Sequence, residues 1–382
     1  MIKKKIICFF IKISYGIVNT FLFILNKMLF PRKLYTNDIK KILIFRIGSL
    51  GDNIVILPII KSIKKRFPNS KIDILADTGL DRKKTVSIKD IIDESLVDNI
   101  IFYRNYSYKE LIRKLRNEKY DLYIELPENL WSFTTLIKHM LFARLIGVKY
   151  GIGWYKSVNK IFMKYQENCI KFTNETKRFF KILSIYGLNL DKEIEFPFKF
   201  DEKTKKKIEN ILKEKNLLNK KKNVAFVIGA KREANRWPVE KFAQVAEYLI
   251  NRGYNILIVG GNEDKQLAKE FISRVEKKGK IFDFTGVLKP LESAYLFKWV
   301  NFTITNDTGP MHMSYAVGTP VLVLYCSWQY EGMWYPIGND NIVISKKVQC
   351  SPCFKPICED NICMKEISVN EVITIIKERF LN

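Results

Sequence analysis

Phe302–Tyr325, FTITNDTGPMHMSYAVGTPVLVLY, holds a strand, a tight turn, a short helix and a second strand, and its chemistry sits at the turn. Phe302–Thr305 alternates aromatic and β-branched residues as a buried strand does. Asn306-Asp307-Thr308-Gly309 then supplies turn residues ahead of Pro310, whose fixed φ suits the start of a helix, and Gly318 and Pro320 stop that helix. A strand that passes through such a turn into a helix N-terminus aims free N–H groups beyond the strand's carboxyl end, where a phosphate can sit. His312, one of two histidines in the chain, falls in the helix's first turn beside Asp307, Thr308 and Gly309. An ordinary βαβ connection, with Asp307 and Thr308 as helix caps and His312 as a core residue, would read the same way.

Upstream, Asn223–Ile228 reads as a strand, followed by the loop Gly229–Pro238 and a helix over Val239–Arg252. Strand Asn255–Val259, the turn Gly260-Gly261-Asn262-Glu263-Asp264, a helix over Lys265–Lys278 and another over Leu291–Trp299 lead into the opening stretch. The first half has the same plan. Lys41–Ile47 is an apolar run broken only by Arg46, as in a parallel strand covered on both faces. Gly48-Ser49-Leu50-Gly51-Asp52 then turns into an amphipathic helix, Asn53–Phe67, and Lys71–Ala76 is the next strand. Asp52 stands at the carboxyl end of a first strand, where an open α/β sheet presents reactive groups, and it can also cap the helix. Further strands are expected at Asn99–Tyr103 and Asp121–Leu126, with helices over Tyr108–Glu118 and Thr134–Leu145.

These signals predict an α/β chain of two Rossmann-like domains facing a central cleft, over 37–200 and 221–347. A charged linker helix joins them at 201–220, and a cysteine-containing tail with a final helix fills 348–382. At 382 residues the chain can bury two cores. Its formal charge of +25 calls for an anionic partner, either a lipid surface or a phosphorylated small molecule. The excess of Lys over Arg and the absence of interleaved aromatic RNA-binding signatures argue against nucleic acid.

Residues 1–36 differ from the rest. Lys3, Lys4 and Lys5 lead into an apolar stretch from Ile6 to Phe30, and Pro31-Arg32-Lys33 follows. Its longest uncharged run, Ile13–Asn26, falls short of the roughly twenty residues that span a bilayer. Lys5, Lys12, Asn19 and Asn26 recur every seven residues, so a helix here carries one narrow polar stripe flanked by Ile, Phe and Leu, with basic residues at both ends. Such a helix lies on an anionic membrane surface or packs on the domain, and the folded body is expected to begin without it, at Lys40. Among the cysteines, Cys350, Cys353, Cys358 and Cys363 form a C-x2-C-x4-C-x4-C cluster, while Cys8, Cys169 and Cys326 stand alone. The cluster could be a structural metal site, a disulfide pair or a set of unliganded thiols.

The run KILIFRIGSLGDNIVILPIIKSIKKRFP, the helix start Trp237-Pro238, VGGNED and TNDTGPMHMSYAVGTPVLVLY, in that order, resembles glycosyltransferase family 9, the heptosyltransferases of lipopolysaccharide core assembly. The resemblance implies a GT-B fold, an inverting transfer from a nucleotide-sugar such as ADP-heptose to a lipid-linked saccharide, no catalytic metal or cofactor, and a place on the cytoplasmic face of the inner membrane. On this resemblance Asp52 is the general base, and Gly48, Ser49 and Gly51 form the loop that faces the acceptor. Asp307, Thr308, Gly309 and His312 contact the donor, and Glu263 or Asp264 its ribose. Many relatives carry Lys just before an Arg/His-Trp-Pro sequence, where this chain has Asn235, so Lys231 or Arg236 is expected to supply the phosphate-binding cation. The rival readings are a nucleotide-sugar epimerase of the same fold and a silent membrane-binding relative.

Overall fold

A computed structural model describes residues 2–31, 38–77, 86–158, 163–355 and 357–381. Residues 32–36 of the basic N-terminal segment, with Arg32 and Lys33, lie outside the described residues. The chain divides into two units, Met1–Pro197 and Phe198–Asn382.

In the first unit, α1 (Ile2–Leu29) precedes β1 (Lys41–Arg46), α2 (Leu50–Ile54), α3 (Leu57–Arg66), β2 (Lys71–Ala76) and β3 (Asn99–Phe102). α4 (Tyr108–Glu118), β4 (Leu122–Glu125), α5 (Phe133–Leu145), β5 (Tyr150–Ile152), α6 (Met163–Gln166) and α7 (Glu175–Ile185) complete it. The five strands are parallel in the order β3-β2-β1-β4-β5, with Phe45 opposite Glu125 and Arg46 opposite Ala76. β1 is central and buried from Ile42 onward, which accounts for its unbroken apolar run. The helix expected over Asn53–Phe67 begins earlier, at Leu50, because the Asp52 carboxylate accepts the Ser49 N–H at 2.8 Å and closes the first turn. It then breaks ahead of Pro58, which has no N–H to continue the ladder.

The second unit runs α8 (Glu202–Glu214), β6 (Asn223–Val227), α9 (Val239–Ile250), β7 (Asn255–Ile258), α10 (Lys265–Arg274), β8 (Ile281–Asp283) and α11 (Pro290–Phe297). β9 (Phe302–Asn306), α12 (Gly309–Ala316), β10 (Val321–Tyr325), β11 (Ile342–Ser345), α13 (Ile362–Lys365) and α14 (Val369–Arg379) follow. Its six strands are parallel in the order β11-β10-β9-β6-β7-β8. The tail is part of this core: Met364, Ile367, Val372 and Ile376 are fully buried, and Phe380 stacks on Phe302 with ring centroids 4.6 Å apart.

α1 packs on the domain, one of the two placements that its sequence left open. Its asparagine stripe faces the first unit. Asn26 donates to the carbonyl of Gly151 in β5 at 2.7 Å, and Asn19 both accepts from Lys156 N–H at 2.8 Å and donates to Lys156 C=O at 3.1 Å. Tyr15 donates to the carbonyl of Ser157 at 2.6 Å. β5 is an edge strand, and these side chains satisfy the Gly151 carbonyl on its open side and backbone groups of the irregular segment that follows it. Ile11, Leu22 and Phe30 are buried on the same side, with Phe30 stacked on Trp154. The helix is therefore built into the unit, and the folded body does not begin at Lys40.

The cysteines also depart from expectation. Cys8 and Cys169 form a disulfide between α1 and the segment after α6. Cys326, just after β10, lies with its Sγ 3.6 Å from that of Cys363, so a cysteine outside the cluster is the hydrogen-bond partner of one of its members. Their hydrogen bond lowers the Cys363 thiol to about 6 and, with burial, raises that of Cys326. Among the described residues no group of three or more His, Cys, Asp or Glu side chains is placed to hold a metal ion.

Candidate functional site

In each sheet the chain reverses its direction of growth once, between β1 and β4 in the first and between β6 and β9 in the second. Ligands of open α/β sheets bind beyond the carboxyl ends of the strands at such a point. Both motifs singled out in the sequence lie there.

At the first, Asp52 is held from two sides. Its Oδ2 accepts the Ser49 N–H at 2.8 Å and the Ser49 hydroxyl at 2.9 Å, and its Oδ1 accepts from the Arg46 guanidinium at 3.0 Å. Arg46 is 1% exposed and also donates to the carbonyl of Leu126 at 3.1 Å, tying the end of β1 to the end of β4. Gly48 cannot be replaced without cost, since its φ is +151° and an added Cβ would stand 2.2 Å from Asp52 Cβ. Glu128, Glu175 and Arg178 surround this pair. Burial pushes the Glu128 carboxyl up, Asp52 and Glu175 add to that, and Arg46 and Arg178 oppose it. Arg178 clamps Glu175 through Nε at 2.9 Å and a terminal nitrogen at 2.7 Å.

At the second, Asn306 closes β9 by donating to the carbonyl of Ile228 at 2.8 Å and accepting the Trp237 N–H at 2.9 Å. The loop after β6 is thereby pinned to the turn that carries Asp307, and Asn235 donates to the Asp307 carboxylate at 3.3 Å. Thr308 occupies the N-cap position of α12 with extended backbone, and Gly309 and Pro310 open the helix. His312 is buried, with Nδ1 2.9 Å from the Tyr315 hydroxyl, and the Trp334 ring lies against it edge to face. Asp264 turns under the loop, where its Oδ2 accepts the Gly261 N–H at 2.9 Å and burial pushes its carboxyl up. It lies so close to Gly229 that a Cβ there would meet Asp264 Oδ1 at 1.9 Å. Glu263 beside it is exposed.

The three cations of the loop are placed differently. Lys231 is exposed, and Arg236 donates to the carbonyl of Ala230 at 2.9 Å and pairs loosely with Glu233. Arg232 lies with its guanidinium carbon 3.4 Å from the centre of the Trp328 ring. Burial lowers its pKa, and the charge of Asp307 is near enough to oppose that shift. Each unit thus offers an anchored carboxylate at its switch point, and the second adds a helix N-terminus with a cation beside it, which suits an anionic leaving group.

The family profile of glycosyltransferase family 9 (heptosyltransferase) matches residues 108–362. The chain belongs to glycosyltransferase family 9. It is similar to lipopolysaccharide heptosyltransferase 1 of Campylobacter coli, 25% identical across 89% of this chain and 99% of that protein. Lipopolysaccharide heptosyltransferase 3 of Escherichia coli is 25% identical across 77% of this chain and 84% of that one. Among solved structures, a family 9 glycosyltransferase from Veillonella parvula superposes with a TM-score of 0.71 at 22% identity, covering 92% of this chain and 99% of that one.

Within this family 9 chain, sequence reasoning missed Arg46 as the partner of Asp52, the group Glu128, Glu175 and Arg178, and Arg232 beside Asp307. Arg46 left a signal, a lone charge at the end of an otherwise apolar central strand. The other four left none, because each lies in a stretch whose local pattern reads as loop or helix.

Proposed function

We propose that this family 9 enzyme transfers a heptose, or a closely related sugar, from a nucleotide-sugar donor to a lipid-linked saccharide of the lipopolysaccharide-core kind, with inversion, at the cytoplasmic face of the bacterial inner membrane. ADP-heptose is the donor of choice, because the E. coli ADP-heptose lps heptosyltransferase II shares this fold. The observation that carries the reading is the fixed carboxylate of Asp52 at the switch point of the first sheet.

In this reading Asp52 takes the proton of the acceptor hydroxyl as that oxygen attacks the anomeric carbon. Ser49 and Arg46 hold the carboxylate in one orientation throughout. The glycosidic bond to the diphosphate breaks on the opposite face of the sugar, which inverts the anomeric centre. The N–H groups at the start of α12, with Arg232 or another cation of the Gly229–Trp237 loop, stabilise the departing diphosphate. Asp307 and His312 contact the donor, and Glu263 is the acid open to a ribose.

The test is thermal stabilisation by ADP-heptose, ADP-glucose and UDP-glucose, since a ligand selective for the folded state raises its midpoint. It is followed by analysis of the anomeric configuration of the product. Stabilisation by UDP-glucose alone would overturn the donor assignment, and a product of retained configuration would overturn the mechanism. Asp307→Ala and His312→Ala each weaken donor binding by about tenfold or more, the loss expected when a hydrogen bond to a charged ligand is removed. Calorimetric titration checks this, and the donor site is misplaced if both variants bind like the parent.

A further inference from the structure

α1 carries two opposed stripes. The inner one buries Ile11 and Leu22 and bonds through Tyr15, Asn19 and Asn26 to edge strand β5 and the segment that follows it. The outer one, Ile6, Phe10, Ile13, Ile17, Ile24 and Met28, recurs at helical spacing and is exposed, with Ile17 at 64% and Met28 at 72%. Lys5, Lys12 and Lys27 are exposed along one flank between them. α5, which packs beside α1, also exposes Leu141 and Leu145. An apolar stripe along 28 residues, about 42 Å at the α-helical rise, is unlike the scattered exposed apolar residues of an ordinary soluble surface.

We infer that α1 is an in-plane membrane anchor whose outer stripe enters one leaflet of an anionic phospholipid bilayer while its inner stripe stays bonded to the protein. This extends the membrane-surface reading proposed above and specifies its contact. Charge complementarity selects the occupant. Lysines bordering an apolar face keep their ammonium groups at the headgroup level, where anionic lipids attract them, and their stems lie along the apolar surface. The same lysines would repel across an interface between two copies of the chain. A transmembrane arrangement would place Tyr15, Asn19 and Asn26 in hydrocarbon and strip the β5 edge of its partners, at a cost in unsatisfied polar groups.

The experiment uses the full chain and sedimentation with vesicles of phosphatidylglycerol and phosphatidylethanolamine. The double variant Ile13→Asp, Ile17→Asp lowers vesicle binding by about tenfold or more, and its thermal midpoint in solution is unchanged because these side chains touch no core. The milder Ile17→Ser guards against misfolding and gives the same direction. Lys5→Glu with Lys12→Glu and Lys27→Glu lowers binding by about a hundredfold or more on these vesicles and not on phosphatidylcholine alone. Asn19→Ala with Asn26→Ala lowers the midpoint both free and vesicle-bound. Parental binding by the outer-stripe variants, or a dimer of the parent that they dissociate, would overturn the anchor. A vesicle-bound midpoint insensitive to the asparagine pair would overturn its in-plane docking. Sedimentation is read without sugar transfer, so a failure of the proposed reaction leaves this result standing and the reverse also holds.

Discussion

Asp52→Asn lowers turnover by about a hundredfold or more while donor affinity stays near the parental value, as expected when a general base is lost without loss of a binding contact. The substitution conserves the shape of the side chain and removes its charge and basicity. An amide cannot take the acceptor proton at neutral pH. It is also mismatched to its surroundings, because both oxygens of Asp52 accept from donors, Arg46 on one side and Ser49 on the other. The amide oxygen can satisfy only one of these, and its NH2 must face the other. A small fall in thermal midpoint accompanies the kinetic effect, with the fold retained. Steady-state rates with saturating donor, alongside donor titration, separate the two effects, and a variant that turns over at the parental rate removes Asp52 from the mechanism.

The largest effect on stability is expected at Arg178→Met. Glu175 is fully buried and its carboxylate is gripped at both oxygens by Arg178, whose other bonds reach the Ser157 hydroxyl at 2.9 Å and the Pro127 carbonyl at 2.6 Å. The guanidinium also lies over the Phe179 ring, 4.3 Å from its centre. Removing one partner of a buried pair strands the other charge, which costs about 3–5 kcal/mol. For a unit of this size that is a fall of ~10 °C in thermal midpoint. Adding Glu175→Gln removes the stranded charge and restores a good part of the loss. A single variant that melts within a degree or two of the parent would show that the pair contributes nothing to the unit's stability. Because Pro127 and Asn129 depend on this pair, the strand end opposite Asp52 loosens with it, and turnover falls as well.

The strand, turn and helix units were legible in the sequence because each is a local matter. A buried parallel strand is apolar on both faces whatever surrounds it, and Gly48 or Pro310 sets its own backbone. The positions of Asp52 and Asp307 followed, since the turn that leads from such a strand into the next helix stands at the strand's carboxyl end in any sheet of this kind. The short strands β8 and β11 were not legible, because three or four residues at a sheet edge carry too little pattern to tell them from loop.

What surrounds Asp52 was decided only by tertiary structure. Arg46, Glu128 and the α7 pair Glu175 and Arg178 come from three separate stretches and meet because β1 and β4 are neighbours and α7 lies against them. The orientation of α1 shows the same division. The sequence set a helix with a polar stripe between apolar faces, and by itself such a stripe belongs in water. The Gly151 carbonyl of edge strand β5 and the Lys156 and Ser157 backbone groups that follow it need partners, and satisfying them outweighs the hydration of two asparagines and a tyrosine. The stripe therefore turns inward and the apolar face outward. That edge is more than a hundred residues away in the chain, which is why no local pattern could foretell it.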